Sequence, residues 1–283
     1  MTRLFPGMRD TICHPRWPAN VTRGSGRASH AWYPSPALRF AAAGMTFLLF
    51  SLFGQATDAA NLAPSYQEVC KAGEHPKWAY GKAETPIQLQ ALFGCDKRFG
   101  ARRDADERYV EQLQKRGLQG AALSWELVRQ GWKWVGARKL PSALNRFNLA
   151  FEADPGNGDV FHGIAVVMAE TGQPSEVVDY WFAQGVAQER GQPGRFADYG
   201  RFLNMQGRAV EALPVLQRSL ELEPQNAWTM INLASLHFHQ KNKPAACAMI
   251  GRLAKAQPPP GYPKERFAKV IDGWLKRGAD EGC

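Results

Sequence analysis

Lysine is missing from the first 56 positions of this 283-residue chain, which hold one acidic residue, Asp10. No glycine-rich phosphate loop, nucleophile elbow or Cys-x-x-Cys-His sequence occurs, which removes the signatures of nucleotide hydrolysis, α/β-hydrolase chemistry and c-type haem attachment. Histidine is scarce: His237 and His239 stand two apart, which on a helix points them to different faces, whereas zinc pairs normally stand four apart. Cys70 with His75 suggests a thiol nucleophile, but with Cys95 nearby the thiol reads as half of a disulfide instead. Neither catalysis nor a metal or cofactor is therefore expected.

The net charge of +9 invites a nucleic-acid reading, but its placement argues otherwise. Six arginines (Arg3, Arg9, Arg16, Arg23, Arg27, Arg39) sit in residues 1–56, leaving 29 basic against 25 acidic residues from position 57 onward. A net of +4 over that body is an ordinary solvated surface. Phosphate-tracking proteins cluster their cations on one face, so no nucleic-acid partner is expected.

The basic early segment resembles export machinery. Arg39 precedes the uncharged run Phe40–Phe53, FAAAGMTFLLFSLF, and Gly54-Gln55-Ala56 or Thr57-Asp58-Ala59 then supplies a small-x-small cleavage site. Positive flank, short apolar run and small residues describe a secretory signal peptide. Fourteen helical residues span roughly 21 Å, less than the ~30 Å hydrocarbon core. The expectation is a leader over 1–56 and a periplasmic or secreted protein that meets the membrane only through an uncleaved segment. The alternatives are an inner-membrane anchor at 40–53 serving a cytoplasmic-side adaptor, or a buried core helix. Residues 1–38 form a very long leader, interrupted by Pro6, Pro15, Pro18, Pro34 and Pro36, which suggests a true translation start downstream.

Cleavage would discard Cys13 and leave Cys70, Cys95, Cys247 and Cys283, an even count with three connectivities. Local pairing, Cys70 with Cys95 and Cys247 with Cys283, is the economical guess; the alternative for Cys247 is a small buried hydrophobe.

An internal period organises the rest. Pro224 and Pro258 stand 34 residues apart, and Pro155 to Pro224 is 69, two periods with one insertion. Frames starting at Ser124, Gly158, Pro193 and Ala227 align more than prolines. The first holds Gly131, Trp134, Ala143, Phe147, Ala150 and Pro155; the second Phe161, Ile164, Ala165, Met168, Gly172 and Trp181. The third holds Phe196, Tyr199, Gly200, Leu203, Gly207, Ala212, Leu216 and Pro224, and the fourth Asn232, Leu233, Ala234, Ala246, Ile250 and Pro258.

This pattern, small residues at the eighth and twentieth places with large ones between, resembles the tetratricopeptide repeat. The resemblance implies an all-α, right-handed superhelical solenoid of helix-turn-helix units, with four repeats over 121–260. Each hairpin is too small to bury its own apolar face, so neighbours must stack. Gly131, Ala165, Gly200 and Ala234 would admit Phe147, Trp181, Leu216 and Ile250 from the second helices. Gly172 and Gly207 would turn the chain between helices, and Pro141, Pro174 and Pro244 would open second helices, where a missing N–H does little harm. Departures are Gln184 for a small residue, Glu189 for proline, an extra residue before Pro193, and Pro214 inside a helix that it should bend. A helix from Asp104 to Arg116, within the cysteine-bearing segment 57–120, and another over Lys264–Lys276, within the tail 261–283, would cap the array.

The resemblance also implies a partner, a protein or peptide held on the concave face of the first helices. In these frames that face carries Trp125, Val128, Trp132, His162, Glu170, Arg201, Asn204, Trp228, Ile231, Phe238 and His239. Trp132 belongs to that set and Trp134 to the core-facing one. The lysines and asparagines of the family's pocket for acidic C-termini are missing, so apolar anchoring of an extended or helical segment is expected. The functions that follow are an assembly or adaptor factor of the bacterial envelope, or a binding subunit of a cell-wall or secretion enzyme system.

Overall fold

The computed structural model describes residues 77–82, 86–95, 101–188, 190–259 and 262–283. The expected leader and its cleavage site, Cys70 with its pairing to Cys95, and His75 lie outside them. Helical periodicity dictates the architecture. In Gly120–Gly136, Leu123, Leu127, Gly131 and Val135 recur every four residues and are all buried, while Arg129 and Lys133 face water. The described residues form ten α-helices and no β-strand: α1 (Ala101–Lys115), α2 (Gly120–Gly136), α3 (Leu140–Ala153), α4 (Gly158–Glu170), α5 (Ser175–Ala187), α6 (Gly194–Met205), α7 (Ala209–Leu222), α8 (Ala227–His239), α9 (Lys243–Leu253) and α10 (Lys264–Asp280). Short 3-10 turns at Lys77–Tyr80, Ile87–Leu89 and Ala91–Cys95 precede them.

Helices α2 to α9 pair as four hairpins. Each second helix leans on the next first helix, and the first helices α2, α4, α6 and α8 neighbour one another in sequence. That is a solenoid. The inter-helix turns share one backbone solution, a left-handed residue, at Arg138 (φ 57°), Gly172 (φ 71°), Gly207 (φ 75°) and Lys241 (φ 57°). Pro141 and Pro244 occupy the first turns of α3 and α9, where their missing donors had no intrahelical partner. Pro214 does not end α7, which runs through it; the residue is exposed, as is Val210, whose carbonyl is the one deprived.

Glycine sets the closeness within hairpins. A Cβ on Gly131 would lie 2.5 Å from the Phe147 ring, and one on Gly163 of the next hairpin would strike the same ring. Phe147 is thus wedged between α2 and α4 and is fully buried. Leu216 occupies the equivalent space beside Gly200. Fully burying side chains of this size contributes about 1.5–3 kcal/mol each.

The junction between the second and third repeats, where proline is missing and a residue added, is held by arginines. Arg195, only 4% exposed, donates from Nη1 to the Gln192 carbonyl at 2.9 Å and from Nη2 to the Gln188 carbonyl at 2.9 Å. Arg190 forks onto Asp154 at 2.6 and 2.7 Å, and its own carbonyl accepts from Gly158 N at 2.8 Å. Bidentate charge-assisted bonds replace the missing proline's rigidity.

At the far end α10 presents Phe267 and Ile271, both buried against Trp228, Ile231 and Leu253, and turns Lys264, Lys269, Asp272 and Lys276 to solvent. Cys247 and Cys283 form a disulfide with S–S 2.01 Å, tying α9 to the residues after α10. Among the described residues no helix is long and apolar enough to cross a membrane.

Candidate partner-binding face

The side-by-side packing of α2, α4, α6 and α8 presents one continuous face of first helices. Five residues assigned there from the sequence do not line it. Val128, Trp132, His162, Trp228 and Ile231 are all buried. The reason is geometric: a residue on the flank of one first helix is covered by the next helix along. The Trp132 ring lies 5.4 Å from Phe147, edge-on, and 4.9 Å from the His162 ring of α4. Trp228 is covered by the terminal cap, 5.4 Å from Tyr262 and 6.2 Å from Phe267. The assignment of Trp132 to the groove does not hold, since Trp132 is 6% exposed; Trp134 packs against the core as assigned, but is only half-buried, with the Lys139 ammonium 5.1 Å above its ring.

The other six remain accessible. Trp125, Glu170, Arg201, Asn204 and Phe238 are half-buried and His239 is exposed. Glu170 lies 3.7 Å from Arg138, a loose pair in which the arginine is mostly solvated. The Arg277 guanidinium sits between two rings, 4.9 Å from Phe238 and 5.0 Å from Trp274, which fixes a cation at the C-terminal end of the array.

Beneath this face lies a polar network that the sequence reading did not assemble. His162 Nε2 donates to Asp198 Oδ2 at 2.9 Å, both side chains nearly sequestered from water. Three residues earlier on α4, Asp159 accepts from Gln192 N at 2.8 Å. Burial pushes the Asp159 carboxyl above its ordinary range, against the opposing pull of His162, the Gln192 N–H and Arg195. Burial likewise lowers the Arg195 pKa, against the pull of Asp159. Tyr199 donates to Asp179 at 3.0 Å, and burial followed by that carboxylate raises its hydroxyl pKa. These groups position α4 against α6 and the linker between them. Asp159 and Asp198 were legible as acids on first helices, but their convergence needed the register between repeats.

Asn148 was missed as well. It is an amide inside the apolar run Phe147–Phe151 of α3, buried, and bonded to backbone at residues 90 and 92. Its one signal is a polar, weakly helix-forming side chain amid residues that pack. No group of three metal-ligating side chains occurs among the described residues.

A family comparison agrees with the geometry over the last repeats. Residues 203–262, which contain α7, α8 and α9, match the tetratricopeptide repeat family. Cellulose synthase operon protein C of Pseudomonas fluorescens (strain SBW25) is 27% identical over 111 residues, 37% of this chain and 9% of that protein. The chain thus spans a small fraction of that relative's length. Two solved structures are similar at 15% identity: the APC/C hetero-tetramer Cut9-Hcn1 (TM-score 0.44, covering 64% of this chain and 37% of that one) and YrrB, a TPR protein with an unusual peptide-binding site (TM-score 0.42, 62% and 87%). Four hairpins stacked first helix to first helix, with a tetratricopeptide repeat match over residues 203–262, give this chain a solenoid fold of tetratricopeptide-type repeats.

Proposed function

We propose that this chain is an exported scaffold that binds a partner protein or peptide on its first-helix face in the bacterial envelope, acting by binding rather than by catalysis. The observation that carries the reading is the unbroken row α2, α4, α6, α8, with Trp125, Glu170, Arg201, Asn204, Phe238 and His239 accessible along it. Aromatic edges among polar groups suit a segment with apolar anchors. Export is supported by the leader's composition and by the Cys247–Cys283 bond, which belongs to oxidising compartments.

A second reading, a binding subunit of a cell-wall enzyme system, is favoured by the likeness to cellulose synthase operon protein C. Both readings predict capture of a partner from envelope extracts. Trp125→Ala and Phe238→Ala should weaken that capture by ten-fold or more each, about 1.4 kcal/mol, while leaving thermal unfolding close to wild type. Capture unaffected by both substitutions sinks the first-helix assignment. N-terminal sequencing of exported protein should find a start after Ala56 or Ala59; a product retaining Phe40–Phe53 indicates an anchor instead.

A further inference from the structure

The opposite side of the array already holds a peptide. Residues 77–82 and 86–95 have no α-helix; they lie as a strap on the second helices α3 and α5. Four hydrogen bonds from the repeats are made to its main chain. The Asn148 carboxamide accepts from Leu92 N at 2.8 Å through Oδ1 and donates to the Gln90 carbonyl at 3.1 Å through Nδ2. Trp181 Nε1 donates to the Ala79 carbonyl at 2.6 Å, and Gln173 Oε1 accepts from Lys82 N at 3.2 Å. A carboxamide that pairs with a carbonyl and the N–H two residues on reads backbone, not sequence. Specificity resides in three consecutive side chains, Ala91, Leu92 and Phe93, all buried against the repeats.

The strap does not rest in a relaxed conformation. Leu92 (φ 48°), Phe93 (φ 52°) and Gly94 (φ 67°) are all left-handed, a backbone that residues with side chains adopt only when the surroundings enforce it. Segment and groove are therefore mismatched in one respect: the groove pairs with the main chain and buries three side chains, and the segment is distorted to meet it. A distorted resident is displaceable by a segment that meets the same groove with less distortion.

We propose that the α3 face, edged by the turn at Lys77–Tyr80, is a second interaction surface, for a peptide carrying a small residue followed by two large apolar ones, and that residues 86–95 occupy it in cis until such a partner replaces them. This surface is separate from the first-helix face and does not depend on that reading.

The test uses the full chain and a fluorescent peptide of residues 86–95 carrying Cys95→Ser. Phe93→Asp releases the resident strap by placing a charge in its pocket. In anisotropy titrations this variant should bind the peptide at least ten-fold more tightly than the unsubstituted chain, whose strap competes at the millimolar effective concentration of a tethered ligand. Adding Asn148→Leu should weaken binding ten-fold or more, and a peptide with Leu92→Asp should not bind. A folded Phe93→Asp chain blind to the peptide overturns the proposal, as does binding indifferent to Asn148→Leu. Loss of the fold in Phe93→Asp also overturns it, because the strap is then part of the core. On the unsubstituted chain, an excess of isotope-labelled peptide should speed hydrogen exchange of residues 86–95 at least ten-fold; unchanged exchange refutes displacement.

Discussion

The contact that closes the third hairpin can be taken apart quantitatively. Leu216 is fully buried, and a Cβ on Gly200 would fall 2.5 Å from its Cδ2 and 3.4 Å from the Ala212 carbonyl oxygen. Gly200→Ala therefore overpacks the α6–α7 contact, which costs about 1–3 kcal/mol. Better helix propensity returns about 1 kcal/mol, leaving a net loss of roughly 0–2 kcal/mol. Leu216→Ala removes an isopropyl group from the same space and should cost about 2–5 kcal/mol through lost burial and the cavity left behind. Together the changes compensate, because the new methyl at 200 enters the volume vacated at 216. The double variant should be more stable than the sum of the singles predicts, by roughly 1–3 kcal/mol. Urea denaturation of the four proteins, followed by circular dichroism, gives the coupling. Additivity within about 0.5 kcal/mol would refute the close approach, and with it the register of the third repeat.

Three further outcomes follow from the packing. Trp132→Ala should cost about 3–5 kcal/mol in denaturant titrations, and the half-buried Trp134→Ala clearly less; equal losses contradict the placement of the two rings. Because burial raises the Asp159 pKa above the ordinary carboxylate range, the folded chain holds that proton more tightly than the unfolded chain. Its contribution thus falls as pH rises from about 4 and levels above the folded pKa, so Asp159→Asn should flatten the unfolding midpoint over that window; an unchanged pH slope rejects this. Cys247 and Cys283 are 36 residues apart, so reducing the bond should lower stability by about 3–4 kcal/mol, and Cys247→Ser should remove that part of the response to reductant.

The repeat register was readable because each hairpin encodes it locally. Sixteen residues separate Gly131 from Phe147 and Gly200 from Leu216, so one spacing fixes where small meets large. The turn geometry was readable only where glycine marked it. Gly172 and Gly207 announce a left-handed residue, whereas Arg138 and Lys241 adopt the same backbone silently. The binding face was harder, since a residue's place on its own helix does not reveal how closely the next repeat approaches. Trp132 therefore passed for a groove residue when α4 covers it. The strap was illegible for another reason. Asn148 and Leu92 are 56 positions apart and share no period, so nothing local links the amide to the backbone it holds.

The central claim, that partners dock on the first helices, is tested most directly by site-specific photo-crosslinking in cells. A photoreactive residue at Asn204 or His239, on the first helices α6 and α8, is compared with one at exposed Gln217 on the second helix α7. The account predicts a discrete partner adduct from positions 204 and 239 and none from 217. Adducts from 217 alone, with 204 and 239 silent, would contradict it.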